Sequence, residues 1–176
     1  KVFQERKDGL EYSISHLDDK WYIRTNYNDA TNFKLMVSGE KNTSLRDWKE
    51  YIPHRPDVLF EGFEIFNNYL VITEREKGNR KYHVKSLTNS ALDHYVEFEE
   101  KAYSTGGSVN AEINSKKFRF SYSSLTTPSS IIEYNLIEKT KEVLKETEVL
   151  GGDFDKKNYK RILSNFKKIK RNFGSI

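Results

Sequence analysis

The sequence predicts a mainly β fold built from about three antiparallel four-stranded modules, and three observations predict it. Aromatic residues make up 14% of the chain, with 11 Tyr and 11 Phe against one Met, a composition that suits pleated surfaces better than bundled helices. Short runs of alternating apolar and polar residues recur, separated by Asn, Asp, Gly and Ser clusters. The modules repeat roughly every 50 residues, the spacing of propeller blades, although a β-sandwich also shows short strands at similar intervals.

The first module opens with residues 10–15, where Leu10, Tyr12 and Ile14 share a face. After the polar turn at Asp18 and Asp19, residues 20–26 carry Trp21, Tyr22 and Ile23, and residues 33–37 follow the turn at Asn28 and Asp29. Residues 44–51 depart from this period. Ser44 as a cap, Asp47 three residues later, Leu45 and Trp48 on one face and Pro53 beyond them predict a short helix of one to two turns.

The second module takes residues 58–66, 69–75 after Asn67 and Asn68, and 81–87 after the turn at Lys77, Gly78 and Asn79. Between modules lie residues 95–100 and a segment at Ser104, Thr105, Gly106, Gly107 and Ser108. Its glycines predict a loop with positive φ. The third module begins at residues 117–123, where Phe118, Phe120 and Tyr122 alternate with Lys117, Arg119 and Ser121. It continues through 129–136 and 141–149. The expected blades are residues 1–57, 58–112 and 113–152, within a partial propeller of residues 1–155.

The net charge of +4 invites a nucleic-acid reading, but eight basic residues from Lys156 to Arg171, with no acid after Asp155, hold all of the excess. Residues 1–155 carry 22 basic against 26 acidic groups, a net of −4. In the tail, residues 156–176, Tyr159, Ile162, Leu163, Phe166, Ile169 and Phe173 fall at helical spacing. They predict an amphipathic helix with a lysine-rich opposite face, packed on an exposed blade or partly disordered rather than bound to a membrane or nucleic acid.

The chain has no cysteine, which excludes disulfides, thiolate metal sites and a cysteine nucleophile. No apolar run approaches the ~20 residues of a membrane span, and the N-terminus does not read as a signal peptide. The expectation is a soluble chain, with the compartment open between cytoplasm and periplasm if the source is bacterial. His16, His54, His83 and His94 lack metal-ligand spacing, so no metal and no cofactor are expected.

The segment Gly9-Leu10-Glu11-Tyr12-Ser13-Ile14 and the later Trp21-Tyr22-Ile23-Arg24-Thr25-Asn26 resemble the propeller of the prolyl oligopeptidase family of serine peptidases. Trp48-Lys49-Glu50-Tyr51-Ile52-Pro53-His54-Arg55 resembles its oligopeptidase B (protease II) branch in particular, as does Val58-Leu59-Phe60-Glu61-Gly62-Phe63-Glu64. Phe118-Arg119-Phe120-Ser121-Tyr122-Ser123-Ser124-Leu125-Thr126-Thr127-Pro128 is the most specific motif. Glu148-Val149-Leu150-Gly151-Gly152-Asp153-Phe154-Asp155 is similar to the place where the family leaves its last blade for the peptidase domain. Beyond residue 160 the likeness fades.

The resemblance implies an incomplete propeller of the seven-bladed type, with a peptidase domain of α/β-hydrolase fold as partner. It also implies cationic oligopeptides, cleaved after Arg or Lys, as the parent's substrates. The family's nucleophile stands on a Gly-x-Ser-x-Gly elbow, and no such pentapeptide occurs here, so the chain alone is expected to be inactive, with no catalytic residue assigned. Its expected role is a substrate-size filter over the active site.

Glu61 and Glu64 are the acids expected to border the substrate channel, with Glu97, Glu99 and Glu100 adding to a potential that attracts cations. Thr126, Thr127 and Pro128 form a turn expected to face the channel or the peptidase domain. The aromatic stripe of Phe118, Phe120 and Tyr122 reads as core packing rather than a base-stacking platform. The open blade faces predict self-association. A reading of a different class is a stand-alone binding module that uses those open blades and the basic tail.

Overall fold

The computed structural model describes residues 2–150, so the basic tail and its expected helix lie outside the described residues. Three four-stranded antiparallel sheets account for the fold, each a meander in which consecutive strands pair. The first contains β1 (Tyr12–Leu17), β2 (Lys20–Thr25), β3 (Lys34–Gly39) and β4 (Lys49–Ile52). The second contains β5 (Leu59–Ile65), β6 (Tyr69–Glu76), β7 (Asn79–Ser86) and β8 (Asp93–Tyr95), and the third β9 (Tyr103–Gly107), β10 (Lys117–Ser124), β11 (Ser130–Asn135) and β12 (Lys141–Glu146).

Turn chemistry explains why the strands reverse where they do. Asp18, the consecutive Asn28 and Asp29, and the Lys77, Gly78 pair all have positive φ, between 50° and 85°. Asn, Asp and Gly enter that region at least cost.

Two compact units divide the chain, one comprising residues up to Glu97 together with Asn110–Lys116, the other Phe98–Val109 and the described residues from Lys117 on. In the first unit, alternation along β2 and β3 sends Tyr22 and Leu35 to one face, where with Leu17 they pack on Phe60, Leu70 and Ile72 of the second sheet. The opposite face of the first sheet buries Ile23, Met36 and Trp48 among Phe3, Tyr12, Trp21 and Tyr27. The rings there meet tilted or edge-on, as with Tyr12 and Trp48 at 5.5 Å and 66°. In the second unit, Phe118, Phe120, Tyr122, Ile132 and Tyr134 are all buried, whereas Lys117 and Arg119 on the other face are exposed. The aromatic stripe is therefore core, as its alternation predicts.

Three local expectations need correction. The predicted helix over 44–51 is a single 3-10 turn, Leu45–Asp47, and Ser44 makes no side-chain cap. Lys49–Ile52 is instead the fourth strand of the first sheet, where Lys34 on β3 pairs with Glu50 at 3.1 Å. Trp48 enters the aromatic cluster and donates its indole N–H to the Thr43 carbonyl at 3.0 Å, which ends the turn.

The Gly106, Gly107 segment is strand rather than loop, and among the described residues the glycines with positive φ are Gly9 and Gly78. Gly107 lies opposite Phe120 and Gly106 opposite Ser121 in the β9–β10 ladder. The third sheet thus begins at Tyr103, before residue 113. Likewise Asp93–Tyr95 completes the second sheet with a fourth strand that the sequence reading did not include, its last residue taken from the connection expected over 95–100.

Candidate functional site

β5 is an edge strand of the second sheet, and it carries the two acids expected to border a channel. The two end in opposite electrostatic states. Glu61 sits at an irregularity in the β5–β6 register and is clamped by two guanidinium groups, the Nε of Arg75 at 2.6 Å and that of Arg80 at 2.5 Å. Burial opposes its ionisation, but the hydrogen bonds from Arg80 and Arg75 outweigh burial and hold the carboxyl below its ordinary range.

Glu64, three residues on, is half-buried, and no cation pairs with it among the described residues. Burial pushes its carboxyl up, opposed by a hydrogen bond from Asn110. Glu61 is spent on internal ion pairs, whereas Glu64 has Asn110 as its hydrogen-bond donor and no cation partner among the described residues.

In the third sheet the structure draws Thr126 and Thr127 inward. Both are buried, and both donate to Glu100, Thr127 Oγ1 at 3.0 Å and Thr126 Oγ1 to the other carboxylate oxygen. Tyr122 Oη donates to the same carboxylate at 2.7 Å. Ser124 orders the turn by accepting the N–H groups of Thr126 and Thr127 at 3.0 and 2.9 Å.

Burial of Glu100 favours the neutral acid, yet the hydroxyl donors, Ser124, Thr126, Tyr122 and Thr127, prevail and hold its carboxyl at about 2. The same carboxylate, after burial itself, pushes the Tyr122 phenol upward. Pro128 closes the turn with its carbonyl accepting Ser130 Oγ at 2.9 Å, and Leu125, at 70% exposure, is left at the tip.

Beside this cluster opens a cavity of about 210 Å³ lined by Phe98, Tyr122, Thr127, Ser130, Lys141 and Glu146. Phe98 stacks on Tyr122 with centroids 5.3 Å apart, and the Lys141 ammonium lies 5.1 Å from the Phe98 centroid. Among the described residues no group of three or more His, Asp or Glu side chains could hold a metal ion.

The histidines hold fixed local posts. His16 packs on Trp21 at 4.4 Å, His54 Nε2 accepts the Asn32 N–H at 3.2 Å, and His83 stacks on Tyr95 while pairing with Asp93. Chemically, these residues can offer fixed negative charge and rigid walls. The hydroxyls of the third sheet's turn serve Glu100 and not an imidazole. Sequence reasoning named Glu100 only as one acid of a diffuse potential. Its partners lie 22 to 27 residues away, beyond the reach of any local pattern.

Repeated four-stranded meanders, two of them packed face to face, define part of a β-propeller. The profile described as "Prolyl oligopeptidase, N-terminal beta-propeller domain" matches residues 1–147, and the chain belongs to that family. Dipeptidyl aminopeptidase BI of Pseudoxanthomonas mexicana is 39% identical over 155 residues, which are 88% of this chain and 21% of that protein. Protease 2 of Moraxella lacunata is 23% identical over 161 residues, 92% of this chain and 22% of that protein.

Among solved structures, oligopeptidase B from Leishmania major aligns with a TM-score of 0.75 at 26% identity, over 86% of this chain and 22% of that one. Oligopeptidase B from Trypanosoma brucei aligns at 0.77 and 24%, with the same coverage. The likeness to the oligopeptidase B branch expected from the sequence is borne out. The chain spans about a fifth of the length of these relatives.

Proposed function

We propose that the chain is a non-catalytic propeller segment that stands over the active site of a serine oligopeptidase and filters substrates by size. Its blades act as rigid walls, its loops as the aperture, and the reacting groups come from a peptidase domain. The family match over residues 1–147 carries this reading. Cationic oligopeptides, cleaved by the parent after Arg or Lys, are the proposed substrates. Glu64 supports that choice, because a half-buried carboxylate with no internal cation gains most from one brought by a ligand.

Thr126, Thr127 and Pro128 are proposed to act at one remove: anchored to Glu100, they hold Leu125 outward as the contact to the peptidase domain. The outer strand β12 is exposed along its length, with Val143 and Leu144 at 56% and 45%, which supports self-association in the absence of that domain. The purified chain is expected to hydrolyse no Arg- or Lys-containing peptide, and sustained turnover stopped by a serine-directed reagent would overturn the proposal. The competing binding-module reading requires salt-dependent capture of anionic liposomes or an oligonucleotide, lost on deleting residues 156–176.

A further inference from the structure

The loop between β2 and β3 makes an unusual number of bonds to the segment that leads into β5. Asn32 accepts the Phe60 N–H at 2.9 Å through its carbonyl and donates its own N–H to His54 Nε2 at 3.2 Å. Its side-chain amide donates to the carbonyls of Arg55 and Pro56 at 3.4 and 2.6 Å. The next residue, Phe33, has φ of 60°, a costly conformation for a bulky side chain, and it persists only where the surroundings impose it. Here they do. The Phe33 N–H donates to Ala30 at 2.8 Å, and the Arg24 guanidinium lies 3.5 Å above the ring while its Nε donates to the Phe60 carbonyl at 2.8 Å. Two consecutive residues thus join the first sheet to the second.

One bond of this set depends on protonation. A ring nitrogen that accepts a backbone N–H carries no proton, so His54 must be neutral to hold Asn32. Imidazole is the side chain that takes up a second proton between about pH 5 and 8. With that proton on, Nε2–H meets Asn32 N–H, and the part-buried donor loses its acceptor. The other contacts to Asn32 and Phe33 involve amides, carbonyls and a guanidinium, which do not titrate in that range.

We propose that Asn32 and His54 form a proton-operated clasp between the first two sheets, closed on the neutral ring and released on acidification. The charged groups around the joint are Asp29 and Lys34 beside the β2–β3 loop, Arg24 on β2, Glu50 on β4, Arg55 and Asp57 on the histidine's own loop, and Glu61 and Glu64 on β5. Lys34 pairs with Glu50, Arg55 with the buried Glu74, Glu61 with Arg75 and Arg80, and Arg24 lies on Phe33. The sign follows from the acceptor role. The clasp is present above the histidine range and lost as pH falls through it.

Nuclear magnetic resonance on the 176-residue chain tests this directly. At pH 7.5, His54 is expected as the tautomer protonated on Nδ1. Between pH 7.5 and 5.5 the Asn32 amide should lose about tenfold in protection, corrected for intrinsic exchange, in step with the His54 titration. The Ile72 amide in the core serves as the unchanged control. His54→Gln, whose side-chain oxygen can accept but does not titrate here, should make the Asn32 protection flat across that range. An Nε2-protonated tautomer at pH 7.5, or a His54 titration that leaves Asn32 unmoved, would overturn the clasp. Should the variant fail to fold, the tautomer measured on the natural chain still decides.

Discussion

The second sheet and the Glu100 turn of the third pin their segments with the same group, a carboxylate, and solve its burial in different ways. In the second sheet, cations do the work. Glu61 takes Arg75 and Arg80, and Glu74, 1% exposed, takes Arg55 with Tyr95 Oη at 2.9 Å. In the third sheet, Glu133 takes Lys117 and Arg119 in the same way, but Glu100 is held by neutral hydroxyls from Tyr122, Thr126 and Thr127. A cation neutralises the acid it binds, whereas hydroxyls stabilise the charge and leave it in place. The second sheet therefore pairs its carboxylates with cations, Glu64 excepted among the described residues, and the third keeps the charge of Glu100 beside its cavity. The two arrangements should also differ in sensitivity, one to removal of a partner charge and to salt, the other to loss of a neutral donor and to acid.

The largest difference should come from Glu74→Ala. It leaves Arg55 without its buried partner and should cost about 3–5 kcal/mol by denaturant unfolding, read on second-sheet amides. An effect below about 1 kcal/mol would mean that the second sheet does not depend on charge pairing. Next, Thr126→Val removes one charge-assisted bond to Glu100 and should cost about 1.5–3 kcal/mol, with the loss confined to third-sheet amides.

Acid should act on the same cluster. The carboxyl of Glu100 ionises at about 2 in the fold against an ordinary 4.5, so its stabilisation is complete above that ordinary value and drains away as pH falls from about 4.5 towards 2. In Thr126→Val that acid-dependent loss should shrink, and an unchanged profile would remove Glu100 from its cause. Smaller again, Glu61→Gln should cost under about 1 kcal/mol and less at 1 M salt, because both arginines keep solvent contact.

Much of this fold was legible from periodicity, and the failures share a cause. β10 alternates visibly because one face of it is buried, whereas β2 and β6, with consecutive buried residues, read as short apolar runs. β4 was not legible, because Lys49, Glu50 and Tyr51 are all exposed and carry no alternation. Leu45 and Trp48 also mimic a helical face that the structure uses for one 3-10 turn. β9 was hidden by two glycines, whose strand conformation is fixed by pairing with β10. The candidate site divides in the same way. Glu61 and Glu64 could be named from their strand, but their opposite fates depend on Arg80 and Asn110, brought in by other segments. The turn at Thr126, Thr127 and Pro128 could be named too, while its anchor on Glu100 is a tertiary fact.

The central claim is that these sheets filter substrates for a peptidase without reacting themselves. It is tested most directly by substituting residues 1–147 for the corresponding segment of dipeptidyl aminopeptidase BI from Pseudoxanthomonas mexicana and measuring cleavage of short cationic peptides against a folded protein. The account predicts that short peptides are turned over, that the folded protein is left intact, and that Glu64→Gln in this chimera raises KM for the cationic peptide about twofold at low salt. Cleavage of the folded protein at a rate comparable with the peptide's would contradict it.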